Sequence, residues 1–230
     1  MRSPRVSVPA RASIFRIDPS APAMKLRGLY AITPDLADSE ELLRRAARAL
    51  QGGIAVLQYR NKLSRGKQQV HEAKALARIC HDLRVPFIVN DDVELALEAG
   101  ADGAHLGRDD GDLAAARARL RGKLLGASCY DSLAAARAAL AAGADYVAFG
   151  SVFPSPTKPA AVRAPLALFG QARALGVPLV AIGGITLQNA PQLLRAGADC
   201  VAVISDLFDA ADIAARALAY GRLFSHEVAQ

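Results

Sequence analysis

Tryptophan is absent from the 230 residues, and aromatic residues of all kinds make up 5% of them. Few rings are therefore available to stack on bases. The formal net charge of +6 does not fill that gap, because the first 23 residues alone carry four arginines against one aspartate. The rest of the chain is only mildly basic, so no nucleic-acid partner is expected. No apolar run approaches the ~20 residues that span a bilayer, and no membrane segment is expected either. Cysteine is scarce: Cys80, Cys129 and Cys200 are odd in number, widely spaced and include no CxxC pair. That excludes a disulfide framework and points to a reducing, cytoplasmic setting. The four histidines, His71, His81, His105 and His226, have no zinc-type spacing with these cysteines. His105, inside an apolar run, reads as a satisfied core residue. Cys129 reads as a bystander, because no histidine stands near it in sequence.

What is present is an apolar content of 52% with 22% charged residues, enough for a sizeable core in one domain. The first 23 residues lack the ~7–15-residue apolar segment of a secretory signal. They are expected to be a disordered extension, with Met24 as the alternative start. Residues 24–222 are expected to form the folded domain and 223–230 a C-terminal tail.

From Leu29 onward two textures alternate. Apolar runs at 29–32, 54–59, 86–89, 102–106, 124–127, 145–149, 178–182 and 199–204 read as buried parallel strands. Stretches at 39–50, 65–83, 92–99, 112–120, 131–141, 165–175, 186–196 and 207–219 carry helical periodicity. Eight βα units in ~200 residues predict a single closed (β/α)8 TIM barrel, with a doubly wound open sheet as the competing topology. Ala-Gly-Ala-Asp recurs at 99–102, 142–145 and 196–199, always between a helical stretch and a strand. Gly100, Gly143 and Gly197 fit the left-handed position that ends a helix.

A parallel barrel brings all strand C-terminal ends to one face, so polar residues scattered from 58 to 205 would share one mouth. Gly183-Gly184-Ile185-Thr186 follows the seventh strand: a double glycine admits close approach of a ligand, and Thr186 can cap the next helix, whose N-terminus suits an anion. Ile204-Ser205 after the eighth strand offers the adjacent half of a phosphate site. Ser155-Pro-Thr-Lys158 is a stiff, donor-rich loop suited to an anionic ligand. Gln58, Arg60 and Lys62 alternate, which puts them on one face, where buried cations need an opposite charge. Asn90-Asp91-Asp92 and Asp109-Asp110 end two neighbouring strands; such carboxylates suit Mg2+, which completes its shell with phosphate oxygens.

These stretches together resemble thiamine phosphate synthase. LQYRNK (57–62), VNDDVELALEAGADGAHLGRDD (89–110), LGAS (125–128), YVAFGSVFPSPTKP (146–159), AIGGI (181–185) and AVIS (202–205) match in order and spacing. The resemblance implies a transferase that condenses a pyrimidine diphosphate with a (carboxy)thiazole phosphate by Mg-assisted, dissociative loss of diphosphate. It implies that the pyrimidine diphosphate contacts Gln58, Arg60, Lys62, Asn90, Ser128 and Lys158, with Tyr59 and Asn61 also among the substrate-binding residues. Arg60, Lys62, Lys158 and Ser128 would carry catalysis, and Asp91 and Asp110 would hold Mg2+. The thiazole phosphate would sit against Ser155, Thr157, Gly184, Ile204 and Ser205. The chain departs from the family pattern at Asn61, where an acid is usual, at Arg108-Asp109, at Cys129-Tyr130 and at Ser155. A thiazole tautomerase, which does not need the metal-diphosphate residues, and a non-catalytic phosphate-binding barrel, which would bind ligand without turnover, are the competing functions. The partners expected are small phosphorylated molecules, with a homo-oligomer left open.

Overall fold

The computed structural model describes residues 26–154 and 163–226. Its elements alternate throughout: β1 (Gly28–Ile32), α1 (Ser39–Gln51), β2 (Val56–Tyr59), α2 (Gly66–Asp82), β3 (Phe87–Asn90), α3 (Val93–Ala99), β4 (Gly103–Leu106) and α4 (Leu113–Arg119). Then follow β5 (Leu124–Tyr130), α5 (Leu133–Ala141), β6 (Tyr146–Phe149), α6 (Ala167–Ala172), β7 (Leu179–Ile182), α7 (Ala190–Ala196), β8 (Cys200–Val203), α8 (Ser205–Phe208) and α9 (Ile213–His226). Each strand pairs in parallel with the next, and β8 pairs with β1 to close the barrel. The expected (β/α)8 topology is the observed one, and the open sheet is excluded by the β1–β8 ladder.

The first helix shows how these residues form these elements. Asp38 accepts hydrogen bonds from the backbone N–H groups of Glu40 and Glu41, which lie in the positively polarised first turn. Leu42, Ala46, Ala49 and Leu50 then recur on one face and are buried against the sheet. Along each strand, alternate residues face opposite ways. Tyr30, Val56, Ile88, Leu124, Tyr146, Val180 and Cys200 fill the barrel interior, whereas Leu29, Leu57, Phe87, Val89 and Val147 pack under the helices.

The repeated Ala-Gly-Ala-Asp motif has one structural task at all three places. Gly100, Gly143 and Gly197 have φ of +72°, +97° and +109°, so each reverses the chain at a helix end. The aspartate two residues on then staples its own strand to the preceding one. Asp102 accepts from the N–H of Phe87 at 2.9 Å, Asp145 from Leu125 at 2.7 Å and Asp199 from Leu179 at 2.9 Å. These are carboxylate-to-backbone bonds at the N-terminal pole of the barrel, the end opposite the mouth.

Two boundaries near the C-terminal end of the chain differ from expectation. The helix expected at 207–219 is divided into α8 and α9, because Asp212 caps the second segment through the N–H of Ala215. The tail expected from 223 begins inside α9, which runs to His226 and buries Phe224. The expected extension at residues 1–23 lies outside the described residues. Among the described residues no helix is long and apolar enough to cross a membrane.

Candidate active site

The strand C-terminal ends surround a cavity of about 400 Å3. Its floor is Tyr30, His105, Tyr146 and Val180, from the barrel interior. One side carries Gln58, Arg60, Lys62, Asn90, Asp91 and Asp110, and the opposite side Gly183, Gly184, Ile204 and Ser205. Ser128 and Tyr130 of β5 lie between them.

The basic side is held from behind. The Thr33 hydroxyl donates to the carbonyl of Arg60 at 2.7 Å and accepts its N–H at 2.8 Å. Asp35 accepts from Arg60 Nη1 with both oxygens, at 3.0 and 2.9 Å, and from the Lys62 N–H at 2.7 Å. This carboxylate therefore fixes both the guanidinium and the backbone beside it. Gln58 is buried and donates from Nε2 to Asn90 Oδ1 at 2.5 Å, tying the end of β2 to β3.

Tyr59 and Asn61 require a correction: neither lines the cavity. Period-two alternation turns both toward α2, where Glu72 is fully buried. The Tyr59 hydroxyl donates to Glu72 Oε2 at 2.6 Å, and Asn61 Nδ2 donates to the same oxygen at 3.1 Å. Both residues brace the loop that carries Arg60 and Lys62. Asn61 is also the position where the family pattern has an acid, and an amide donor suits the Glu72 carboxylate better than a second acid would.

The acidic pair sits at the ends of β3 and β4. Asp91 has φ of +63°, and its N–H donates to the carbonyl of His105 at 2.8 Å, which turns its carboxyl toward Asp110. Burial, and then the hydrogen bond and charge of Asp110, push its pKa up to about 6, while Asn90 and Arg60 oppose the shift. Asp110 also accepts the N–H of Gly107 at 2.8 Å. Asp92 faces elsewhere and caps α3 through Leu95 at 2.8 Å. Two positions that depart from the family pattern meet here: the Arg108 guanidinium stands 4.5 Å from the centre of the Tyr130 ring.

On the opposite side, Gly183 and Gly184 have φ of +102° and +63°. A Cβ on Gly184 would strike the carbonyls of Phe153 and Pro154, so this strand end has no room for a side chain. Thr186 does not cap a helix as expected, because α7 starts only at Ala190. It closes a turn with Asn189 instead, donating its N–H to Asn189 Oδ1 at 2.9 Å. Ser205 opens α8, where the first backbone N–H groups have no partner within the helix. Ser155, Thr157 and Lys158 lie outside the described residues.

Reading the sequence missed the floor. Tyr30 OH lies 2.8 Å from Tyr146 OH, which lies 3.2 Å from His105 Nδ1; His105 Nε2 lies 2.9 Å from Ser128 Oγ. His105 is buried as expected of a core residue, yet it also lines the cavity. Burial pushes its imidazole down to about 4, so the ring is neutral near pH 7. Burial pushes both phenols upward, so both keep their protons. Alternation alone places these rings inside the sheet; only closure of the barrel places them under the mouth.

Comparison with known proteins agrees with this fold. The thiamine monophosphate synthase family model matches residues 29–207. The thiamine-phosphate synthase of Azoarcus sp. is 59% identical over 203 residues, covering 87% of this chain and 98% of that protein. That of Aromatoleum aromaticum is 57% identical over 205 residues, covering 88% and 99%. The solved thiamine phosphate pyrophosphorylase from Pyrococcus furiosus superposes with a TM-score of 0.78 at 32% identity, covering 90% of this chain and 98% of that one.

Proposed function

The chain belongs to the thiamine monophosphate synthase family and is a transferase, and from this premise we propose its substrates and mechanism. It condenses 4-amino-2-methyl-5-(diphosphooxymethyl)pyrimidine with a (carboxy)thiazole phosphate to give thiamine phosphate and pyrophosphate, with CO2 as a further product where the thiazole carries the carboxyl. One observation carries the reading: an acidic pair and a cationic loop share one side of the cavity, and a glycine-lined strand end forms the other. A diphosphate has a place on the first side and a monophosphate on the second.

The donor set suits Mg2+. Two hard carboxylates, Asp91 and Asp110, face each other, and the charge of Asp110 disfavours ionisation of Asp91, a repulsion that a divalent cation relieves. Among the described residues no third carboxylate, histidine or cysteine joins them, which leaves coordination positions for water and diphosphate oxygens. Magnesium bound there would supply Lewis-acid neutralisation of the diphosphate.

Arg60, Lys62 and Lys158 bind the diphosphate and stabilise the charge that grows on it. The methylene–oxygen bond breaks with its electron pair going to the diphosphate. The pyrimidine amino group delocalises the positive charge left on the methylene, and the thiazole nitrogen then attacks with its lone pair. The protein supplies no nucleophile; Cys129 is buried and faces away from the cavity. Gln58, Asn90 and Ser128 orient the pyrimidine diphosphate, and Ser155, Thr157, Gly184, Ile204 and Ser205 hold the thiazole phosphate. A tautomerase acting on the thiazole phosphate alone would leave the acidic pair and the cationic loop without a task. The spaced cysteines support a cytoplasmic setting for this chemistry.

Incubation with both substrates and Mg2+ tests the reading. Pyrophosphate and thiamine phosphate are expected in equal amounts, and EDTA should abolish both. Undiminished turnover in EDTA would remove the metal from the scheme, and absence of thiamine phosphate would overturn the assigned substrates.

A further inference from the structure

We infer that His105 is a positioning residue, the last link of a one-way hydrogen-bond chain that leaves the Ser128 hydroxyl hydrogen free to donate to the pyrimidine diphosphate. The inference rests on the reading of Ser128 as a substrate contact given above.

The direction of the chain follows from counting hydrogens. Tyr30 is 1% exposed and Tyr146 fully buried, and the Tyr30 hydroxyl hydrogen-bonds Tyr146 alone among the described residues. If Tyr146 donated to Tyr30, the hydrogen of the buried Tyr30 hydroxyl would have no acceptor among the described residues and would bear a desolvation cost. Tyr30 therefore donates to Tyr146. The Tyr146 hydrogen must then go to its only other neighbour in the chain, Nδ1 of His105, 3.2 Å away. That nitrogen is bare, so the imidazole carries its hydrogen on Nε2 and donates to Ser128 Oγ, 2.9 Å away. The Ser128 oxygen is occupied as an acceptor, and its own hydrogen is free at the cavity surface. A doubly protonated imidazole fails the same count, because it would turn Tyr146 back toward Tyr30.

Gly126 is independent support. It lies on the inward face of β5, two residues before Ser128, and a Cβ there would collide with the Tyr146 hydroxyl and with Nδ1 of His105. The space a side chain would take is the space in which these two groups meet.

Nitrogen NMR of the full chain labelled with 15N-histidine reads the tautomer directly, with the His105 signals assigned by their loss in His105→Gln. The Nε2–H form is expected, and an Nδ1–H form would overturn the inference. Tyr146→Phe keeps the ring and removes one hydroxyl, so it is the variant least exposed to a folding failure. It should abolish the tautomer preference; an unchanged spectrum would overturn the inference. Kinetics supply the second arm. His105→Gln keeps a donor near the Nε2 position and should retain most of kcat/KM. His105→Asn does not reach Ser128 and should lose about tenfold, the scale of one lost hydrogen bond in the transition state. In a Ser128→Ala background neither His105 variant should cost anything further. An undiminished His105→Asn loss in that background would overturn the inference alone. Wild-type turnover in Ser128→Ala would overturn the reading of Ser128 as a substrate contact and this inference with it.

Discussion

The carboxyl of Asp91 is held in a left-handed backbone against Asp110, with its pKa pushed up to about 6. The sign of the consequence is fixed by that direction. A carboxyl raised above its unfolded value of 3.8 is harder to ionise in the folded chain, so it costs no stability below that value, and the cost is complete once pH has risen through about 6. Cation binding needs the ionised pair. Mg2+ affinity, measured by titration calorimetry, should be flat above about pH 7 and fall up to roughly tenfold per unit below about pH 6. Asp110→Asn should bring the Asp91 carboxyl back toward its ordinary range. At the same scale, Asp35 holds Arg60 and the backbone of Lys62 together. Asp35→Ala should raise the KM for the pyrimidine diphosphate about tenfold, an effect of ~1.4 kcal/mol. Asp35→Asn keeps an acceptor for the Lys62 N–H and should raise it less. Equal KM values in all three proteins would show that the loop keeps its shape unaided. The cationic residues of this loop were legible because Arg and Lys alternating at a strand end demand an anion. Asp35 was not, because nothing in one sequence says which carboxylate will stand behind them.

Among the elements, the Ala-Gly-Ala-Asp turns show what a short motif can encode. The glycine that ends a helix is visible in sequence, since φ near +70° to +110° has a steric cost for any residue with a side chain. The aspartate's target is not visible, because Asp199 reaches back to Leu179, 20 positions away. Asp199→Ala breaks this bond and orphans the N–H of Leu179, which should destabilise the chain by ~1–3 kcal/mol in urea denaturation. Because the bond lies at the pole away from the mouth, KM should not change. A parallel rise in KM would show that the two poles are coupled. The element boundaries that differed have local causes. The stretch beginning at Thr186 has helical periodicity, but Thr186 and Asn189 satisfy each other in a turn before α7 can start. The last helix is divided where Asp212 supplies a second cap.

At the scale of the whole molecule, the site exists only because eight short strands close into a ring. Gln58 and Ser205 are 147 positions apart in the chain and line one cavity. Lys158, between β6 and α6, belongs to the same scheme through its place in the sequence. Lys158→Ala should lower kcat by ~100-fold or more, as loss of a group that stabilises transition-state charge does, and leave the thermal midpoint unchanged. Turnover near that of the wild type would remove Lys158 from the catalytic set.

Periodicity, turn chemistry and strand-end residues pointed from sequence alone to the barrel, to carboxylates after two neighbouring strands and to the cationic residues, and the family resemblance singled out Asp91 and Asp110. Each of these depends on contacts between near neighbours or on a chemical type that permits few roles. The tertiary structure decided what depends on direction across the sheet: that Tyr59 and Asn61 turn outward to Glu72, and that Tyr30 and Tyr146 lie beneath His105 and Ser128. Alternation says only that neighbours in a strand face opposite ways. Which way leads to the cavity is settled when the sheet curves and closes, because closure gives the two faces of every strand different surroundings.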